Sequence, residues 1–191
     1  GESVIFTADE CQFGYRDSLF KSRFPGRYLI TAVTFTLSRE FEPVLHYGGI
    51  DDQLKQRNID SPEPLQLSDL ICDIRNAKLP QPAQLGNAGS FFKNPVIPEI
   101  QVEQLKQDYP GLVVFADQPG YCKLAAGWLI DQQGWKGHRR GDAGVYEKQA
   151  LVLVNYGAAD GADIVDLAGA IQADVYKQFG VMLEVEPRCY P

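Results

Sequence analysis

Three places in this sequence hold side chains arranged for more than solubility. Phe13-Gly14-Tyr15-Arg16-Asp17-Ser18 sets a guanidinium between an aromatic ring and a carboxylate. A fork of N–H donors suits a planar carboxylate; the plainer reading is a surface arginine paired with Asp17. Asn87-Ala88-Gly89-Ser90-Phe91-Phe92-Lys93-Asn94-Pro95 is a small-residue turn running into aromatics. Small residues let a ligand approach the backbone, with Ser90 at the bend; a tight structural turn with a helix-capping serine is the alternative. Leu183-Glu184-Val185-Glu186 carries two carboxyls that share a face if the segment is a strand, or these are ordinary carboxylates at a strand end. No GxSxG surrounds Ser90 and neither His46 nor His138 sits in a base motif, which argues against a serine hydrolase. Cys11, Cys72, Cys122 and Cys189 form no CxxC pair and keep no metal-ligand spacing with histidine, so no metal site is expected.

The elements that must position these groups belong to an ordinary globular composition. The chain has 191 residues, 45% hydrophobic and 23% charged, enough for one large or two small domains. Its net charge of −7 gives the surface no general attraction for nucleic acid, so an anionic ligand must be met by a local basic cluster. The scattered cysteines read as reduced, mostly buried thiols of a cytosolic protein. No apolar run reaches membrane-spanning length, and the expected location is cytoplasmic.

Periodicity and turn residues give the order of elements. Val4–Thr7 reads as a short strand, with Thr7 and Glu10 spaced as a capping box just after it. Tyr28–Leu37, β-branched and aromatic throughout, reads as a strand. Residues 38–67 hold no long periodic segment and read as a loop-rich insertion. Leu67–Lys78 has helical spacing, and Leu79-Pro80-Gln81-Pro82 is the candidate domain boundary. Glu99–Tyr109 is expected as a helix with Ile100, Leu105 and Tyr109 inward, and Leu124–Gln132 as a second helix ended by Gly134. Ala150–Asn155 reads as a buried strand, Ala162–Phe179 as a long amphipathic helix stopped by Gly180, and Val181–Glu186 as a last strand. Strands and helices alternate without βαβ regularity, so the expected class is α+β.

The series Phe13–Ser18, Lys78-Leu79-Pro80, Gly86–Pro95, Lys123-Leu124-Ala125-Ala126-Gly127-Trp128-Leu129-Ile130-Asp131, Trp135-Lys136-Gly137, Gln149–Asn155 and Leu183–Glu186 occurs in this order. It resembles the UDP-N-acetylenolpyruvoylglucosamine reductases over essentially the whole chain. The resemblance implies an FAD- and NADPH-dependent enzyme of peptidoglycan synthesis that reduces UDP-N-acetylglucosamine enolpyruvate to UDP-N-acetylmuramate. In that family two domains bind FAD and a third binds the UDP-sugar. Residues 1–78 would be the later part of the second domain, with a mobile-loop insertion at 38–67 typical of type I members. Residues 79–191 would be the α/β substrate-binding third domain. The early FAD-binding segments have no counterpart here, and the chain opens on a strand-like run, so a fragment is expected.

By the same resemblance Arg16 meets the substrate carboxylate, Ser90 donates the proton to C2, and Glu186 assists stabilisation of the intermediate. Glu184 is a rival for that last role, because the family has a proline between its two glutamates where this chain has Val185. Tyr47 matches the tyrosine of the mobile loop. Lys78, Asn94, Lys136 and Gln149 match positions that hold the UDP moiety, with Arg75 sharing its charge. Tyr15, Arg16 and Gly89 would face the flavin. Two other readings stand beside the reductase: a separate UDP-sugar-binding module, and a fragment inactive without flavin. The expected state is a monomer, with no nucleic-acid or membrane partner.

Overall fold

The computed structural model describes residues 1–45 and 48–190. The chain divides into two compact units, Gly1–Val44 and Leu45–Pro191.

The first unit is organised by aromatic rings. Phe6, Phe20 and Tyr28 meet edge to face with centroids 5.1–5.8 Å apart, the geometry their quadrupoles favour. Helix α1 (Leu19–Ser22) buries Leu19, and Cys11 accepts the Leu19 N–H. Thr7 and Glu10 do form the reciprocal pair that their spacing suggests, but around a turn rather than at the head of a helix. Glu10 is thereby held below its usual carboxylate range, first by the Thr7 backbone N–H and then by its hydroxyl. Neither expected strand is present. Val4–Thr7 and Tyr28–Leu37 join no ladder among the described residues, and Leu29, Phe35 and Leu37 lie exposed. Both-faced β-propensity needs a paired neighbour to become a strand.

The second unit begins with two helices, α2 (Ile50–Gln56) and α3 (Pro64–Lys78), whose Ile50, Leu54, Leu67 and Leu70 form a small core of their own. Helix α2 lies inside the segment read as loop, and α3 starts three residues earlier than periodicity indicated. Pro64 opens the helix instead of breaking it, because the first helical residue needs no N–H. The Gln66 side chain accepts the Glu63 N–H at 2.9 Å and completes that start.

The main core follows. Strand β1 (Gly86–Ser90) leads to β2 (Val96–Pro98), α4 (Glu99–Asp108), β3 (Val114–Ala116), β4 (Tyr121–Leu124), α5 (Ala126–Gln132), β5 (Arg139–Arg140), β6 (Ala143–Val145), β7 (Val152–Asn155) and α6 (Gly161–Phe179). Two antiparallel sheets result, ordered β1-β7-β6-β5 and β2-β4-β3. The class is α+β, as the sequence indicated. Lys123 on β4 pairs with Asp117 at 3.0 Å, and that hydrogen bond is the leading cause holding the Asp117 carboxyl below its usual range. Leu124 ends β4 instead of opening the next helix.

Helix α6 buries Leu167, Ala168, Ile171, Val175 and Phe179, the face read from its periodicity apart from a half-buried Ile164. Asp160 and Asp163 exchange side-chain bonds with each other's backbone N–H at its head, and Gly180 at φ 64 ends it. The thiols are all free but not mostly buried: only Cys11 is, while Cys72 and Cys189 are exposed. On α4 Leu105 and Tyr109 pack against the core as expected, joined by Val102, 3% exposed, whereas Ile100 is 64% exposed. Val102→Ala is expected to cost about 2 kcal/mol and Ile100→Ala to stay within about 0.5 kcal/mol of the parent, measured by urea unfolding.

Candidate functional site

Gly86–Ser90 has to bend before it reaches the aromatics. Asn87 Oδ1 accepts the Gly89 N–H at 3.0 Å, Gly89 takes φ +74, and the β1–β7 register shifts between Asn87 and Ser90. A bulge of this kind re-aims the following side chain. A Cβ on Gly89 would meet nothing within 4 Å, so glycine is required there by backbone conformation and its peptide remains uncovered. Ser90 is a strand residue, half-buried and opposite Val152, not a helix cap.

Beyond Ser90 the chain is bonded on both sides. Phe91 donates its N–H to Leu151 at 2.7 Å, and Phe91 accepts the Glu186 N–H at 2.9 Å. Lys93 donates its N–H to Glu184 at 2.9 Å, and Phe92 forms a bridge with Val185. The C-terminal segment therefore runs antiparallel to Phe91–Lys93, although only Val185 is assigned to a bridge where a full strand was expected. This brings Glu186 beside Phe91 from far along the chain. Glu184 and Glu186 flank the half-buried Val185 and share a face. The Glu184 carboxylate forms an ion pair with Lys93, itself only 21% exposed. Sequence reasoning overlooked Lys93, although it lies inside the motif that drew attention to Ser90.

A second group gathers at α5. Ala125 precedes that helix and has no side chain able to cap it; Asn94 instead accepts the Ala126 N–H through Oδ1 at 2.9 Å, from 32 residues away. Gln149 Oε1 accepts the Leu151 N–H at 3.3 Å and lies over Gly127, 3.4 Å from where a Cβ would stand. Asn94 and Gln149 thus converge on the first turn of α5. Lys136 is engaged at the other end of the helix, paired with Asp131 at 2.7 Å. Lys78 and Arg75 lie on the exposed last turns of α3. Asn87 Nδ2 reaches the Pro80 carbonyl at 3.4 Å, which brings the exit from α3 to the start of β1. Lys78 lines an open cleft between α2 and α3 with Arg57 and Asp73, which pair at 3.1 Å; Arg75 does not line it. Tyr47 lies outside the described residues.

Tyr15 and Arg16 belong to the first unit. Gly14 and Asp17 exchange backbone hydrogen bonds at 3.0 and 3.2 Å, which leaves Tyr15 and Arg16 at the tip of a tight hairpin. Arg16 has φ 54, and its guanidinium stands 5.5 Å from the Tyr15 centroid. A non-glycine residue in the left-handed region costs on the order of 1 kcal/mol and marks a conformation worth keeping. Asp17 accepts the Ser18 N–H at 2.7 Å and the Ser22 hydroxyl. Among the described residues no group of His, Cys, Asp and Glu could hold a metal, and no helix is long and apolar enough to cross a membrane.

An α+β unit with a serine and two glutamates along one antiparallel junction, beside an asparagine-capped helix, is a sequence-specific arrangement. Residues 81–190 match the family described as UDP-N-acetylenolpyruvoylglucosamine reductase, C-terminal domain. The chain belongs to the UDP-N-acetylenolpyruvoylglucosamine reductase family. It is 55% identical over its full length to the UDP-N-acetylenolpyruvoylglucosamine reductase of Pseudomonas putida and 52% identical over 98% of its length to that of Chromobacterium violaceum. It spans 56% and 55% of those two proteins. A crystal structure of UDP-N-acetylenolpyruvylglucosamine reductase from Thermus caldophilus aligns over 69% of this chain and 37% of its own, at 24% identity and a TM-score of 0.40. If Asn94 serves α5 as well as any ligand, Asn94→Ala will lower the stability of the ligand-free chain by about 1–2 kcal/mol in urea unfolding.

Proposed function

We propose that this chain is the substrate-binding portion of an enzyme that reduces UDP-N-acetylglucosamine enolpyruvate to UDP-N-acetylmuramate with FAD and NADPH, for peptidoglycan synthesis in the cytoplasm. The observation that carries the reading is the backbone junction of Phe91–Lys93 with residues 184–186, which sets Glu186 opposite Phe91, the residue next to Ser90 in the chain. Residues 1–78 are then the later part of a flavin-binding domain, and 79–191 the substrate domain.

Gly89 in the second unit, exposed and without a Cβ, leaves room for a flat ring, and Tyr15 with Arg16 in the first offers a ring and a cation at a hairpin tip; these are the residues that would face a flavin. A flavin bound here would supply the reducing hydride, with NADPH as its source. The chain's own residues manage the charge and the proton. As C3 gains hydride, negative charge builds at C2 and on the carboxylate, and it needs preorganised partners in a site screened from water. Arg16 meets the carboxylate with paired N–H donors. By the family resemblance Glu186 would assist stabilisation of the intermediate, and Ser90 would give its hydroxyl proton to C2, completing the reduction. A hydroxyl is a weak acid, but a carbanion is a strong base, so fixed geometry suffices. Asn94, Gln149, Lys136, Lys78 and Arg75 bind the UDP moiety, and Tyr47 covers the substrate.

Two measurements test this. Calorimetric titration of the chain with UDP-N-acetylglucosamine enolpyruvate should give binding that weakens in Arg16→Ala; a folded chain that binds nothing would make it an inactive fragment. The chain can also replace its 55%-identical counterpart in the Pseudomonas putida reductase. That chimera is expected to oxidise NADPH only when substrate is present, and Ser90→Ala within it should reduce the rate by about 10²–10⁴-fold. A flavin-loaded chimera whose rate is indifferent to Ser90→Ala would remove the proton-donor assignment.

A further inference from the structure

Val181, Leu183 and Val185 alternate with Met182, Glu184 and Glu186; Val181 and Leu183 are each 1% exposed, and Val185 packs against the core. Alternation of this kind excludes a slip of one residue, which would bury the glutamates. It does not exclude a shift of two residues, about 7 Å along the strand, which keeps every apolar residue inward. Such a shift would bring Glu184 opposite Phe91 in place of Glu186. Burial alone therefore does not choose between the two glutamates.

Two side chains hold the segment where it is. Gln172, on the inner part of α6, donates Nε2–H to the Leu183 carbonyl at 2.7 Å in a partly buried contact. Lys93 pairs with Glu184 through Nζ while its backbone N–H donates to the Glu184 carbonyl. The shift that brings Glu184 to Phe91 would put Met182 opposite Lys93. A largely buried ammonium would then lose its carboxylate, which is costly. The same shift would pull the chain off the Gly180 cap, whose N–H donates to Tyr176 at 2.8 Å.

We infer that Lys93 and Gln172 are positioning residues that select the register of residues 183–186, and so determine that Glu186 and not Glu184 stands beside the Ser90–Phe91 segment. Their link to catalysis rests on the proposed function; their effect on register does not. Lys93 acts by occupying Glu184, which removes the rival carboxylate from the site as well as anchoring the strand.

Amide hydrogen exchange of the 191-residue chain, read residue by residue by NMR, tests the register directly. In Lys93→Met and in Gln172→Met, the N–H groups of Lys93 and Glu186 should exchange about tenfold faster or more, while Val154 in the β1–β7 ladder keeps its protection. Lys93→Arg should retain the parent rates. Glu184→Gln changes a side chain that is 71% exposed, so it spares the core and should reproduce the loosening seen in Lys93→Met. Unchanged protection of Glu186 in both Lys93→Met and Glu184→Gln would overturn the inference. A second readout is the affinity for UDP-N-acetylglucosamine enolpyruvate compared with that for UDP. Loss confined to the enolpyruvyl ligand supports positioning of Glu186, and equal losses for both ligands sink it. If the parent chain binds neither ligand, the proposed function fails, and exchange alone decides the register.

Discussion

The antiparallel junction of Phe91–Lys93 with the C-terminal segment is the contact on which the rest of the second unit depends. β1 is an edge strand of its sheet, and without the junction the chain beyond it would also face solvent with unpaired donors and acceptors. With it, the chain is paired to Leu151 and Val152 at Ser90–Phe91 and to residues 184–186 at Phe91–Lys93. Phe91 and Phe92 are both buried, at 5% and 1% exposure, because this piece of sheet is covered on both faces. A serine at the end of such a segment has a fixed backbone beneath it.

Short elements explain why polar side chains matter so much here. Strands of two to five residues and a seven-residue α5 carry few hydrogen bonds of their own. Their ends are closed by side chains, most of them near in sequence and one far away: Asn87 on Gly89, Asn155 on Gly157 and Ala159, Gln172 on Leu183, and Asn94 on Ala126. Beneath them lies an apolar core around Leu129, Ile130, Leu167 and Ile171, each fully buried. The core supplies the driving force through burial of apolar surface. The polar closures determine where the chain turns and which side chains it presents.

The first unit obeys the same physics with a different balance. Its aromatic cluster and the hairpin that carries Tyr15 and Arg16 are local, spanning a few tens of residues. Tyr28–Leu37 has a strand's composition without a strand's partners, and its Leu29, Val33, Phe35 and Leu37 stay in solvent. Composition measures fitness for a pleated surface, not the presence of a neighbour to pleat against.

The sequence by itself determined the family, the α+β class, helix α6 with its glycine stop, strand β7, and the identity of the motif around Ser90. These follow from local signals: a 3.6-residue period, Gly at a helix end, β-branched runs and an ordered series of short strings. Pro64 was legible only in part, because proline both breaks helices and begins them. Tertiary structure alone decided that Glu186 is drawn to Phe91, that Lys93 holds Glu184, that Asn94 caps a helix 32 residues away, and that Val102 rather than Ile100 faces the core. The reason is physical. A period or a cap is written in neighbouring residues, whereas strand pairing and long-range capping depend on which segments the packed core brings within about 3 Å of each other.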